Sequence, residues 1–154
     1  MIKDFAISYD GKYQYGALYQ SNTIAVSTNS GSTWNEIVVD PSNRVSAPSA
    51  IACSANGQYI FVGGYNYSGS TTQGCLAISN NYGATWSYPA NTGRENTAGC
   101  YGIAASSTGQ YGVAVFGDLS TNISSSVCIT SNYGASWKLL SQLYSSTEIY
   151  SGGT

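Results

Sequence analysis

The side chains that could do chemistry in this 154-residue chain are few: seven carboxylates, two arginines, four cysteines and no histidine. Without histidine, the commonest general base is absent and no Ser-His or Cys-His nucleophile can be assembled. The acids are Asp4, Asp10, Glu36, Asp40, Glu95, Asp118 and Glu148. Glycoside hydrolysis needs two of them roughly 5 to 9.5 Å apart, and spacing along the chain does not say which of them meet. The cysteines, Cys53, Cys75, Cys100 and Cys128, show neither zinc spacing nor a Cys-x-x-Cys pair, so no metal site is expected. Nothing marks a cofactor site.

A second kind of chemistry is ligand binding. Arg44 and Arg94 fall shortly after Trp34 and Trp86, and near them lie Glu95, Asn96, Tyr65, Tyr67, Asp40 and Asp118. Aromatic rings beside polar side chains are what a neutral sugar requires, the ring for stacking and the polar groups for hydrogen bonds. These residues are the candidate ligand site, set against the plainer reading of solvated loops. The third repeat described below has Ser145 and Ser146 where an equivalent arginine would stand, which argues against a pocket repeated in each unit.

The elements that must position these residues come from an internal repeat. One phrase occurs three times: Ser27-Thr-Asn-Ser-Gly-Ser-Thr-Trp34, Ser79-Asn-Asn-Tyr-Gly-Ala-Thr-Trp86 and Thr130-Ser-Asn-Tyr-Gly-Ala-Ser-Trp137. Its tryptophans stand 52 and then 51 positions apart, close to the length of a propeller blade. A second phrase repeats in phase: Ile7-Ser-Tyr-Asp-Gly-Lys-Tyr13, Cys53-Ser-Ala-Asn-Gly-Gln-Tyr59 and Ala105-Ser-Ser-Thr-Gly-Gln-Tyr111. Between the phrases lie short β-branched and aromatic runs bounded by Gly, Asn and Ser, which read as strands. Each repeat parses into four; in the second they are predicted over Ala50–Ala55, Tyr59–Tyr65, Cys75–Ser79 and Thr85–Tyr88. The chain is read as all-β, one domain of three repeats at about 4–49, 50–101 and 102–154.

The eight-residue phrase reads as a hairpin. Asn29, Asn81 and Asn132 can accept backbone N–H bonds, Gly31, Gly83 and Gly134 supply positive φ, and Trp34, Trp86 and Trp137 are expected to plug the space between neighbouring sheets. The small residues Ala6, Ala52 and Ala104 on the first strands fit sheets crowded towards a common axis.

These phrases resemble the Asp-box, or bacterial neuraminidase repeat, whose pattern is Ser/Thr-x-Asp-x-Gly-x-Thr-Trp. The resemblance implies β-propeller blades, with the box serving the fold on the face away from the site of sialidases. All three copies carry Asn where that motif has Asp, which keeps the turn bond and removes the charge. Sialidases use three arginines on the substrate carboxylate, more than this chain holds, so the sialidase-like glycosidase reading requires a site shared between subunits or a larger parent enzyme. In propeller topology Arg44 and Arg94 fall in loops linking blades, the face that carries ligands in many propellers. Cys75 and Cys100 fall on one face of adjacent blades, where a disulfide can form.

Propellers close with about four to eight blades, so three blades make an open arc. Its ends are expected to be buried by a second copy closing a six-bladed ring, by a filament, or by a longer parent chain. Only 8% of residues are charged, against a norm of about 25%, with Ser, Thr, Asn and Tyr in their place. That balance suits glycans or other proteins on an extracellular or virion surface. With five basic residues and a net charge of −2, nucleic acid and anionic membrane are excluded as partners. No apolar run approaches the ~20 residues that span a bilayer. Two sequons, at Asn66 and Asn122, fall in equivalent loops. The expectation is a non-enzymatic module for structure, adhesion or recognition, with the glycosidase as its rival.

Overall fold

The computed structural model describes residues 1–19, 21–42, 45–65, 75–89, 98–118 and 125–142. They form three antiparallel sheets in which each strand pairs with its sequence neighbour. The first blade holds β1 (Ile2–Ile7), β2 (Gln14–Leu18), β3 (Thr23–Ser27) and β4 (Asn35–Val38). The second holds β5 (Ala47–Cys53), β6 (Ile60–Tyr65) and β7 (Leu76–Ser79). The third holds β8 (Ala98–Ala105), β9 (Gly112–Asp118), β10 (Ser125–Thr130) and β11 (Lys138–Gln142). The fourth strand predicted over Thr85–Tyr88 is reduced to one bridge between Ile78 and Ser87. The physical reason lies just beyond it: Pro89 has no N–H to continue a ladder, and the Tyr88 hydroxyl is drawn away to the carbonyl of Val39, 2.7 Å distant.

The repeat persists at the level of single bonds. The first two strands of each blade are joined by a turn in which Gly11, Gly57 and Gly109 take φ of 75°, 76° and 78°. The hydroxyl of Ser8, Ser54 or Ser106 accepts the amide of Tyr13, Tyr59 or Tyr111 at 2.9, 3.0 and 3.1 Å. Each first strand also shifts register at the same place, between Ile2 and Asp4, Pro48 and Ala50, and Cys100 and Gly102. A bulge of this kind sharpens the local twist.

Two hydrophobic cores lie between the three sheets. One gathers Tyr15, Ile24, Val26, Val39 and Val45 with Ile51, Ile60 and Val62. The other gathers Phe61, Leu76 and Ile78 with Cys100, Ala114, Phe116, Cys128 and Trp137. The second blade contributes to both, so β7 is buried along its whole length and β6 nearly so. The end blades are covered on one face only. In β1 Asp4 and Ala6 are half-buried while Phe5 and Ile7 are exposed.

Bonds across the blade boundaries fix the spacing. The amide of Ile51 donates to Asp4 Oδ2 at 2.9 Å, the Tyr15 hydroxyl donates to the Gly57 carbonyl at 2.7 Å, and Ser49 Oγ donates to the Cys100 carbonyl at 2.6 Å. At the inner turns the Tyr9 amide donates to the Ala55 carbonyl and the Ala55 amide to the Ser107 carbonyl, at 2.7 and 2.8 Å. These three residues are equivalent in the repeat, so one backbone bond recurs at each boundary.

Candidate functional site

The eight-residue phrase folds into the same turn three times. Asn29 Oδ1 accepts the Thr33 amide at 2.9 Å, Asn81 Oδ1 the Thr85 amide at 2.9 Å, and Asn132 Oδ1 the Ser136 amide at 3.0 Å. A backbone N–H can only donate, so the amide orientation follows: Nδ2 of each Asn faces the hydroxyl of Thr33, Thr85 or Ser136, each at 2.8 Å. The first residue of the phrase closes the turn, as Ser27, Ser79 and Thr130 hydroxyls accept the amides of Gly31, Gly83 and Gly134. Those glycines have φ of 83°, 86° and 80°, following Ser30, Tyr82 and Tyr133 at 57°, 59° and 60°. Two consecutive positive φ values are the mark of a primed hairpin turn. The side-chain amides of Asn29, Asn81 and Asn132 and the hydroxyls beside them are engaged in the turn itself.

The three tryptophans do not share one environment. Trp137 is buried, 7% exposed, edge-on to Phe61 of the preceding blade at 6.3 Å, with Nε1 donating to the Gly134 carbonyl at 3.2 Å. Trp86 is half-buried against the core that includes Ala6 and Tyr13 of the first blade, and its Nε1 is buried without an acceptor. Trp34 is 41% exposed, its ring against Phe5 of its own blade at 6.4 Å. The expectation of a plug therefore fails at Trp34. Trp86 and Trp137 pack backwards onto the blade before their own, whereas among the described residues Trp34 meets a ring of its own blade.

A contact that sequence reasoning missed runs in the same direction. Tyr13 stacks on Tyr82 of the next blade with ring centroids 4.7 Å apart, and Tyr59 stacks on Tyr133 at 4.8 Å. Their β-carbons lie over Gly57 and Gly109, where an added methyl would come within 2.7 and 2.8 Å of them. The signal was the recurrence of Gly-x-Tyr in phase with Asn-Tyr-Gly. Tyr111, third in the series, is 56% exposed.

Of the candidate ligand residues, Arg44, Arg94, Glu95, Asn96 and Tyr67 lie outside the described residues, as do both sequons, Asn66 and Asn122. Tyr65 is described, and it sits in a ladder of rings that crosses all three blades. Tyr19 meets Tyr65 edge-on at 6.2 Å, Tyr65 meets Tyr101 at 5.8 Å, and Lys3 Nζ lies 4.7 Å above the Tyr19 ring. Tyr101 is half exposed. Nearby, the buried Asp40 carboxylate accepts the amides of Ser42 and Val45 at 2.9 and 3.1 Å.

Three further carboxylates are also engaged by the fold. Asp4 holds the Ile51 amide, and Glu36 accepts from the Thr23 hydroxyl at 3.3 Å. Asp10 accepts from the Ser8 hydroxyl and the Lys12 amide, and these bonds hold its pKa below the ordinary carboxylate value. Among the described residues no three acids or cysteines gather as a metal-binding group.

The disulfide expected between Cys75 and Cys100 is not formed. Both carry thiols in the same buried core as Cys128. Cys100 Sγ instead fills the space over Gly63 where a side chain would begin, and donates to the Gly102 carbonyl at 3.4 Å. Burial pushes the Cys75 thiol up to about 12 and the Cys53 thiol up to about 11, and raises Cys100 further.

The architecture is that of solved β-propeller proteins. The chain superposes on YCF48 bound to a D1 peptide with a TM-score of 0.64 and 15% identity, over 93% of this chain and 40% of that one. It superposes on Kuenenia stuttgartiensis hydrazine synthase with a TM-score of 0.66 and 16% identity, over 90% and 36%. For an ancestral GH74 enzyme the values are 0.63 and 18%, over 90% and 20%. The chain thus spans two fifths or less of these proteins, and at such identities the likeness shows the fold alone. No protein-family model and no curated protein matches the sequence. The chain is a three-blade arc of β-propeller fold.

Proposed function

We propose that this chain is a non-enzymatic β-propeller module of the Asp-box type, which works as a structural part by docking its two end faces. The observation that carries the reading is the exposed surface at those ends. Trp34, Phe5 and Ile7 on the first blade are 41%, 57% and 60% exposed. On the third, Tyr111 is 56% and Leu140 53% exposed, whereas second-blade residues facing the third blade, Phe61, Leu76 and Ile78, are at most 3% exposed. Large apolar patches of this kind mark interaction surfaces on soluble proteins.

The ring ladder of Tyr19, Tyr65 and Tyr101 supports recognition of a neutral glycan as a second role, on the face that would also carry Arg44 and Arg94. An extracellular or virion-surface setting fits both roles. The rival is a glycosidase completed by a second subunit or by a longer parent protein. Incubating the chain at micromolar concentration with a panel of aryl and oligosaccharide glycosides decides between them. No turnover is expected. Hydrolysis that disappears in both Arg44→Ala and Glu95→Gln would overturn the non-enzymatic reading.

A further inference from the structure

The two ends of the arc are complementary halves of the contact that the chain already makes twice inside itself. At the boundary between the second and third blades, Trp137 packs in a core with Ala52, Tyr59 and Phe61. The residues of the third blade equivalent to those three are Ala104, Tyr111 and Val113. They line, with Ala105, Ser106 and Gly112, an open apolar depression of about 240 Å³ on the outer face. This is the socket in which a following tryptophan would sit. At the far end of the arc stands Trp34, which among the described residues has no blade before it to pack on and is 41% exposed.

The other boundary contacts divide in the same way. A methyl added at Gly57 or Gly109 would strike Tyr13 or Tyr59, while at Gly11 the nearest atom is Ile7 Cδ1 at 4.0 Å, which leaves room for a tyrosine in the position of Tyr111. The backbone bond from Tyr9 to Ala55 and from Ala55 to Ser107 would continue from the Ser107 amide to the carbonyl of another Tyr9.

Resting on the reading of the ends as docking faces, we propose that each is covered by a second copy of this chain, head to tail. Trp34 of one copy enters the Ala104–Tyr111–Val113 socket of the other, Tyr111 lies over Gly11, and the Ser107 amide donates to the Tyr9 carbonyl. Two copies carry two such contacts and reach six blades, within the range in which propellers close. Charge does not oppose the contact, because both tryptophan and socket are apolar.

The test is mass in solution with three proteins: the wild-type chain, Trp34→Arg, and Ala104→Glu. Both substitutions are at positions exposed in the single chain, so each blade keeps its own packing. Light scattering at tens of micromolar should give twice 16.1 kDa for the wild type. Each variant alone should dissociate at least ~30-fold more readily, the effect of losing one buried hot-spot side chain. An equimolar mixture should recover the doubled mass, because the introduced arginine and the introduced glutamate then face each other at one contact, while an unaltered Trp34 meets an unaltered socket at the other. Circular dichroism follows the fold throughout, and a variant that unfolds alone but regains fold and mass in the mixture also supports the pairing. A folded wild-type chain of 16.1 kDa, variants as tight as wild type, or a mixture that stays dissociated would overturn the proposal. None of these outcomes bears on glycoside turnover, so the two readings fail separately.

Discussion

Three glycines with one backbone conformation and different neighbours allow the packing between blades to be measured against an internal control. Gly11, Gly57 and Gly109 have φ within three degrees of one another, 75°, 76° and 78°. Replacement by alanine places a side chain in the left-handed region at each, which costs roughly 1–2 kcal/mol. Beyond that the sites diverge. At Gly57 the new carbon would stand 2.7 Å from Tyr13 Cβ and 2.9 Å from Cγ; at Gly109 it would stand 2.7 Å from Tyr59 Cγ. Carbon atoms prefer about 3.5–4.0 Å, and neither tyrosine can retreat freely, because each is stacked on a ring of the next blade. Overpacking of this kind costs a further ~1–3 kcal/mol.

Gly57→Ala and Gly109→Ala should therefore destabilise the chain by about 2–5 kcal/mol and Gly11→Ala by about 1–2 kcal/mol. Urea unfolding followed by tyrosine and tryptophan fluorescence gives the three values. It should be carried out in a Trp34→Arg background, so that the chain remains single and Gly11 remains open. Equal losses at all three sites, or the largest loss at Gly11, would show that the tyrosines do not bear on the glycines of the following blade.

Other measurements test other parts of the structure. Asn81→Leu removes the acceptor of the exposed Thr85 amide and should cost about 0.5–1.5 kcal/mol, whereas Asn81→Asp keeps that acceptor and should cost well under half as much in the same urea titration. The four thiols should resist a disulfide reagent at pH 8 in the folded chain, since burial holds Cys53 and Cys75 as thiols up to about 11 and about 12. All four should react after unfolding without reductant; two reactive thiols would instead reveal a bridge. Asp10 has a folded pKa below its ordinary 3.8, so its contribution is complete above that value and is lost as pH falls towards the folded pKa. Asp10→Asn should accordingly flatten the loss of stability below pH 4 and leave its pH dependence near neutrality unchanged.

What the sequence discloses here follows the range of each interaction. The box turn is legible because its side-chain bonds join residues at most four apart: Ser79, Asn81, Gly83 and Thr85 satisfy one another wherever the hairpin sits. The fate of the tryptophans is not local. Trp34 and Trp137 end phrases of one pattern, yet one is 41% exposed and the other 7%, because Trp137 packs on Phe61 of the blade before it and Trp34 meets Phe5 of its own. The stacking of Tyr13 on Tyr82 escaped for the same reason, its partner lying one repeat away. The repeat puts Cys75 and Cys100 in neighbouring blades, but only the structure shows Cys100 directed at Gly63. Pro89 could have warned that the fourth strand of the second blade would be short. The arginines of the candidate ligand site lie outside the described residues, and of that set the structure describes Tyr65, within the ring ladder.

The junction between copies should be weaker than the boundaries within one, and a single residue accounts for the difference. At both internal boundaries a tyrosine in the left-handed region, Tyr82 or Tyr133, stacks on the tyrosine of the preceding blade. The equivalent residue of the first blade is Ser30. It has the same conformation, φ 57°, and its amide makes the same bond, to the Lys12 carbonyl at 3.0 Å, as Tyr82 and Tyr133 make to Gln58 and Gln110. The backbone is thus already arranged to hold a tyrosine there, and only the ring is missing. A stacked aromatic pair contributes about 0.5–1.5 kcal/mol beyond its area. Ser30→Tyr should then tighten head-to-tail association by roughly 2- to 12-fold for each contact, while the urea stability of a chain held single by Ala104→Glu changes little. Sedimentation across a dilution series reads the first and urea unfolding the second. Association unchanged by Ser30→Tyr would mean that Tyr111 does not meet the first-blade turn, and the head-to-tail geometry would fall with it.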